Sequence, residues 1–223
     1  MFNCFRGKKV LILDTETTDI PICPKKFGKY YKYAKHEYYK RSRLLSISWI
    51  YIDNYQNIFD EKDIKYYIRK PYKFDQSIFS KSAIELNHLD FDKCMNEGVP
   101  FAKIVVDFGL RTALNNCEFI FGHNVNFDFN ILCHELSCYN NTERILEHLS
   151  HVTLIDTMEL GKYTCKIPMN NVIPHNKYDR NILYKSPTLC EYYRNFYHED
   201  PIDQHDSKGD LITLIKCLQK QWK

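Results

Sequence analysis

Residues 10–13 read Val-Leu-Ile-Leu and are followed at once by Asp14. Successive side chains of a strand point to opposite faces, so a run that is apolar at every position fits a strand buried on both sides. Such a strand needs cover above and below, and the rest of the chain supplies candidates. Leu44–Ile52 reads as a second strand, and a third lies within 63–70, where Tyr and Ile are β-formers. Phe101, Ile104, Val105 and Phe108 recur at helical spacing behind Pro100. The run 118–121 is a short strand ending at Gly122, after which Phe129, Leu132 and Leu136 mark a helix face. Another strand is expected in 151–156. Ser186-Pro187 has the chemistry of a cap and first turn for a helix carrying Leu189, Tyr193 and Phe196. In the last helix Leu211, Leu214, Ile215 and Leu218 form a stripe that Asp206 or Ser207 can cap. Three strands, helix, strand, helices, strand and two helices predict an α/β fold, a mixed sheet with helices packed against it. Two stretches read as insertions, 20–43 and 166–185.

With 223 residues the chain can bury one substantial core, so a single domain is expected. Hydrophobic residues make up 44% and charged residues 26%, outside the regime of disorder. No apolar run approaches the roughly 18 residues of a membrane span, so no membrane role is expected. Nine cysteines, an odd number without a Cys-x-x-Cys pair, predict reduced thiols and an intracellular setting, cytoplasmic or nuclear.

Three acidic elements could carry chemistry. Asp14 and Glu16, two apart on an extended backbone, share one side, and paired acids repel unless a cation stands between them. Taken alone, an Asp-x-Glu pair is better read as a charged turn after a strand. Asp128 follows the turn Gly122-His123-Asn124 among apolar neighbours, where a first-turn acid is also favoured by the helix dipole. Asp210 precedes the apolar stripe of the last helix and should sit near the core, where a carboxylate needs a partner or a metal. His205 falls roughly 140° from it on helical geometry, so it is expected on the preceding loop.

In this order, Asp14-x-Glu16, Gly-His-Asn-x-x-Phe-Asp128 and His205 with Asp210 resemble the three motifs of the DEDDh 3′-5′ exonucleases. This group includes the epsilon proofreading subunit, RNase T and oligoribonuclease. The similarity extends to 83–114, where Gly98-Val99-Pro100-Phe101 opens a helix, and to Leu154-Ile155-Asp156-Thr157. The resemblance implies an RNase H-like mixed five-stranded sheet flanked by helices. It implies a 3′-5′ exonuclease that hydrolyses DNA or RNA to nucleoside 5′-monophosphates. Asp14, Glu16 and Asp210 would hold one divalent ion, Asp14 and Asp128 a second, with Mg²⁺ suited to oxygen ligands and Mn²⁺ as substitute. His205 would act as general base. Thr15, Thr17, Asn124 and Phe127, within the motifs, would line the path of a single-stranded 3′ end. Three departures bear on substrate contacts: Asp19 where Gly is common, Ser207 where Ala is common, and 85–90 without the usual His-Gly-Ile form. No polymerase domain is expected within these 223 residues, so proofreading is expected to require a partner polymerase. The alternative is a non-catalytic nucleic-acid-binding or polymerase-associated domain of the same fold; an endonuclease is disfavoured by the His205–Asp210 motif.

The net charge is only +3, but between residues 20 and 43 stand Lys25, Lys26, Lys29, Lys32, Lys35, Lys40, Arg41 and Arg43 against Glu37 alone. With Tyr30, Tyr31, Tyr33, Tyr38 and Tyr39 interleaved, this insertion is expected either to grip phosphates and stack bases or to be a solvated loop. Cys133, His134, Cys138 and His151 match no standard zinc spacing and are expected to pack.

Overall fold

A computed structural model describes residues 5–22, 32–55, 59–72, 76–107, 109–169, 184–202 and 205–221. Its centre is a five-stranded sheet in the order β3-β2-β1-β4-β5, formed by β1 (Val10–Thr17), β2 (Leu44–Ile52), β3 (Lys65–Ile68), β4 (Phe119–Gly122) and β5 (Thr153–Asp156). β1 pairs antiparallel with β2 and parallel with β4; β2–β3 is antiparallel and β4–β5 parallel. This is the expected RNase H-like mixed sheet with helices against it.

The described helices are α1 (Lys81–Asn87), α2 (Phe91–Glu97), α3 (Phe101–Asp107), α4 (Leu110–Asn116), α5 (Val125–Ser137), α6 (Glu143–Leu149), α7 (Thr157–Cys165), α8 (Leu189–Tyr197) and α9 (Ser207–Gln221). The single helix expected behind Pro100 is divided, with Gly109 at a positive φ of 82° starting α4. α8 is capped two residues later than expected. Thr188, not Ser186, accepts from Glu191 N–H, and Glu191 reaches back to the Thr188 N–H in a capping box.

The parity of β1 decides what each face meets. Leu11 and Leu13 belong to one core cluster with Ile131, Leu132 and Leu136 of α5. Val10 and Ile12 belong to a second, with Leu211, Leu214, Ile215 and Leu218 of α9. Continuing the same alternation, Asp14 and Glu16 lie on the α9 face and Thr15 on the α5 face. The cross-strand partners of Asp14 and Glu16 are Ser48 and Ser46, which share that face. Both serine hydroxyls are buried against Ser207 Oγ, at 3.0 and 2.9 Å, and tie the first turn of α9 to the sheet.

Part of the basic insertion belongs to the protein interior, contrary to a uniformly exposed flap. Tyr39 is fully buried in the α5-side core, with Tyr33 and Tyr38 packed against that core. Arg43 donates from Nε and Nη2 to the two carboxylate oxygens of Glu135 at 2.8 and 2.9 Å. Arg69 Nη1 stands 2.7 Å from the same carboxylate. Glu135 is fully buried, and its two cations hold its carboxyl below the ordinary range despite burial. Lys25, Lys26, Lys29, Tyr30 and Tyr31 lie outside the described residues, as does most of the second insertion and Phe108.

Candidate active site

The strand β1 runs past the apolar segment to Thr17, so Asp14 and Glu16 sit inside its C-terminal half rather than after it. There they meet Asp210, in the first turn of α9, carried to the same place by the Leu211–Leu218 stripe. One carboxylate oxygen from each of Asp14, Glu16 and Asp210 lies within 4.8 Å of the others.

Asp128 stands at one remove, buried in the first turn of α5. Its Oδ1 accepts the Thr15 backbone N–H at 2.9 Å and the Thr15 hydroxyl at 2.7 Å. These bonds fix Asp128 beside β1, and its charge acts on both Asp14 and Glu16.

Proton affinities across the pocket are raised. Burial, then the charges of Asp128, Asp210 and Glu16, pushes the Asp14 carboxyl well above its usual value. Burial and the Asp210 charge push Glu16 up to about 8, against a hydrogen bond from Asn87. Burial raises Asp128 to about 7 against the opposing Thr15 bonds, and Asp210 to about 6. For Asp210 the opposing influence is a hydrogen bond from the backbone of His205. Acids that desolvate and repel one another in this way form a pocket short of positive charge. Oxygen-only donors on three elements suit a hard divalent cation of the Mg²⁺ or Mn²⁺ type.

His205 occupies the turn before α9, with a positive φ of 64°. Its side chain is exposed, in keeping with the loop position read from the sequence. Thr17 is buried, and its hydroxyl donates to the Asp19 carbonyl. Asn124 adopts the left-handed conformation at φ 68°, and its N–H donates to Asp156 Oδ1 at 2.9 Å. Phe127 is partly buried against the α5-side core, and Lys32 is exposed.

Several supporting residues carry roles that the sequence reading did not assign to them. Asn87, closing α1, is buried; besides its bond to Glu16, it donates to the Thr17 carbonyl at 3.3 Å. Asp206 adds a negative charge near Asp14, Glu16 and Asp210 and accepts from the Tyr66 hydroxyl. His123, next to Asn124, is bound through Nδ1 to Thr157 Oγ1 and through Nε2 to the Pro187 carbonyl, both at 3.0 Å. Burial pulls its imidazole down to about 4, so the ring is neutral and positions the turn. Each had a sequence signal: Asn87 lies in the segment that departs from the usual His-Gly-Ile form, Asp206 follows His205 in the third motif, and His123 stands in the Gly-His-Asn turn.

The seven cysteines among the described residues are free thiols. No helix among them is long and apolar enough to cross a membrane.

No protein-family model matches the chain, and no curated protein sequence does. Solved structures do match. Escherichia coli exonuclease I in complex with a dT13 oligonucleotide aligns at a TM-score of 0.62 and 15% identity, covering 95% of this chain and 40% of the exonuclease. The same enzyme with a dA16 oligonucleotide gives a TM-score of 0.60 at 15% identity, with the same coverage. A moderately thermophilic exonuclease I from Methylocaldum szegediense gives 0.59 at 14% identity, covering 95% and 40%. The chain thus spans about 40% of the length of these relatives. At such identities the likeness establishes the fold, and the fold is that of the exonuclease I structures, as the resemblance to DEDDh exonucleases implies.

Proposed function

We propose that the chain is a metal-dependent 3′-5′ exonuclease domain, with insertions at about 20–43 and 166–185, that shortens a single-stranded DNA or RNA end and releases nucleoside 5′-monophosphates. The observation that carries this reading is the convergence of Asp14, Glu16 and Asp210 oxygens within 4.8 Å, beside a buried Asp128. Their oxygen-only chemistry and raised proton affinities fit divalent cations, which would relieve the repulsion among them.

Asp14, Glu16 and Asp210 would hold one ion, and Asp14 with Asp128 the other. When bound, such a pair supplies Lewis-acid stabilisation of charge on the attacking and leaving oxygens of a phosphodiester. The chain's own residues do the rest. Thr15 holds the Asp128 carboxylate in one orientation through two donors. Ser46, Ser48 and Ser207 fix the start of α9 and with it Asp210. His205, exposed on its turn, would take the proton of the attacking water at a ring nitrogen. Thr15, Thr17, Asn124 and Phe127 would shape the path of the terminal nucleotide, Thr15 through the position of Asp128. Lys32, with Lys25, Lys26 and Lys29, would meet the phosphate backbone.

The test is a digestion panel with 5′-labelled single- and double-stranded DNA and RNA in Mg²⁺, Mn²⁺ or chelator. Wild type should shorten at least one substrate from its 3′ end, releasing 5′-monophosphates. Asp128→Ala and His205→Ala should each lose most of that rate. Binding without shortening in either metal would favour the non-catalytic reading, and shortening that survives chelation or Asp128→Ala would refute the mechanism.

A further inference from the structure

The far end of α5 carries a second set of ligand atoms, separate in chemistry from the acidic pocket. His134 and Cys138 are four residues apart and so share one face of the helix end, Cys138 being its C-cap. The short 3₁₀ turn His36–Tyr38 brings His36 to that face. One ligand atom from each of His36, His134 and Cys138 lies within 4.8 Å of the others. The two imidazole centroids are 5.1 Å apart.

We infer that His36, His134 and Cys138 form a three-ligand site for a borderline-soft divalent cation, Zn²⁺, which staples the segment containing His36 onto α5.

The donor set is the first argument. Two imidazoles and a thiolate select Zn²⁺ over the hard ions suited to the carboxylate pocket. A tetrahedral Zn²⁺ with bonds of roughly 2.0–2.3 Å places its ligand atoms roughly 3.3–3.8 Å apart, so only small side-chain adjustments are needed. Cys138 and His36 are exposed, which leaves them free to make those adjustments and leaves the fourth position open to water.

The surroundings of His134 are the second argument. It is 4% exposed, stacked on Tyr39 with ring centroids 4.9 Å apart, and held by a long 3.4 Å contact from Nδ1 to the Tyr33 carbonyl. A ligating histidine commonly gives its other ring N–H to a backbone carbonyl, which fixes the tautomer and the direction of the lone pair. Tyr33, in turn, donates its backbone N–H to Asn130 Oδ1 at 3.1 Å, so the carbonyl that orients His134 is itself tied to α5. A clip here would pin the described end of the basic insertion. Asp128 lies six residues earlier on α5, about 9 Å along the axis, so the two metal chemistries would be separate.

The experiment uses the full chain, stripped of metal, then loaded with Zn²⁺ or Co²⁺ while excess Mg²⁺ fills the oxygen-ligand pocket. Wild type should retain a single equivalent of Zn²⁺ after desalting, and the Co²⁺ form should show a thiolate-to-cobalt charge-transfer band with intense tetrahedral d–d bands. Cys138→Ser should abolish the charge-transfer band, and His36→Ala should weaken Zn²⁺ binding by at least about tenfold. Both substitutions fall on exposed side chains, and circular dichroism checks that each variant is folded. Asp14→Asn should leave the cobalt spectrum unchanged. Zn²⁺ retention unaffected by both site substitutions, a pale octahedral cobalt spectrum without charge transfer, or loss of binding in Asp14→Asn would each overturn the site.

Discussion

Thr15 gives both its backbone N–H and its hydroxyl to one oxygen of Asp128, at 2.9 and 2.7 Å, across 113 residues of sequence. This is how an acid on α5, packed on one face of the sheet, is held to a strand whose other acids face α9. Thr15→Val keeps the shape and removes the hydroxyl. Leaving a buried charged acceptor short of one donor costs about 1–3 kcal/mol. Chemical denaturation should show that loss in the metal-free protein, and the proton affinity of Asp128 should rise.

The acidic pocket sets a pH dependence. Folded-state values of about 8, 7 and 6 for Glu16, Asp128 and Asp210 lie above their ordinary carboxylate values. The folded state therefore binds more protons than the unfolded chain between roughly pH 4 and 8, and stability falls as pH rises through that window. Thermal unfolding of the metal-free protein should show a midpoint that drops from pH 5 to pH 8. Mg²⁺ or Mn²⁺ should restore the midpoint most at the alkaline end, because binding to the folded state competes with the same protons. A flat profile in chelator would contradict the buried charge.

Glu135 is the keystone of a buried ion network with Arg43 and Arg69. Removing one member of such a set leaves uncompensated charge, and Glu135→Ala should cost about 3–5 kcal/mol. Glu135→Gln keeps hydrogen bonding and should cost less. Urea denaturation of the two variants measures the difference.

These interactions mark where the sequence was legible and where it was not. β2 begins and ends where the apolar run does, and β1 was visible from Val10 to Leu13 because both faces are covered. The alternation that buries Val10 and Ile12 carries straight on to Asp14 and Glu16, so the site's central pair could be read from parity. The position of Asp210 followed from the α9 stripe. Glu135 could not be read: its value lies in Arg43, 92 residues away, and Arg43 itself looked like one more cation in a basic run. Tyr39 likewise looked like a surface aromatic, and only tertiary packing on His134 shows it to be core. The short helices α1, α2 and α6 bury only one or two residues each, Asn87, Cys94, and Ile145 with Leu149, so no apolar stripe marks them.

Ser207 stands where a small apolar residue would also fit, yet its hydroxyl bridges Ser46 and Ser48 in a fully buried site. Ser207→Ala should cost about 1 kcal/mol of stability, because two buried hydroxyls lose a shared partner. It should also loosen the start of α9, measurable as faster amide exchange there.

The convergence of Asp14, Glu16, Asp128 and Asp210 is tested most directly by anomalous diffraction from crystals soaked with Mn²⁺ and a nucleoside 5′-monophosphate. Two peaks are expected, one among Asp14, Glu16 and Asp210 and one between Asp14 and Asp128, with the nucleotide phosphate against both. Density at neither position, or Mn²⁺ bound only elsewhere on the chain, would contradict the assignment of this pocket as the catalytic centre.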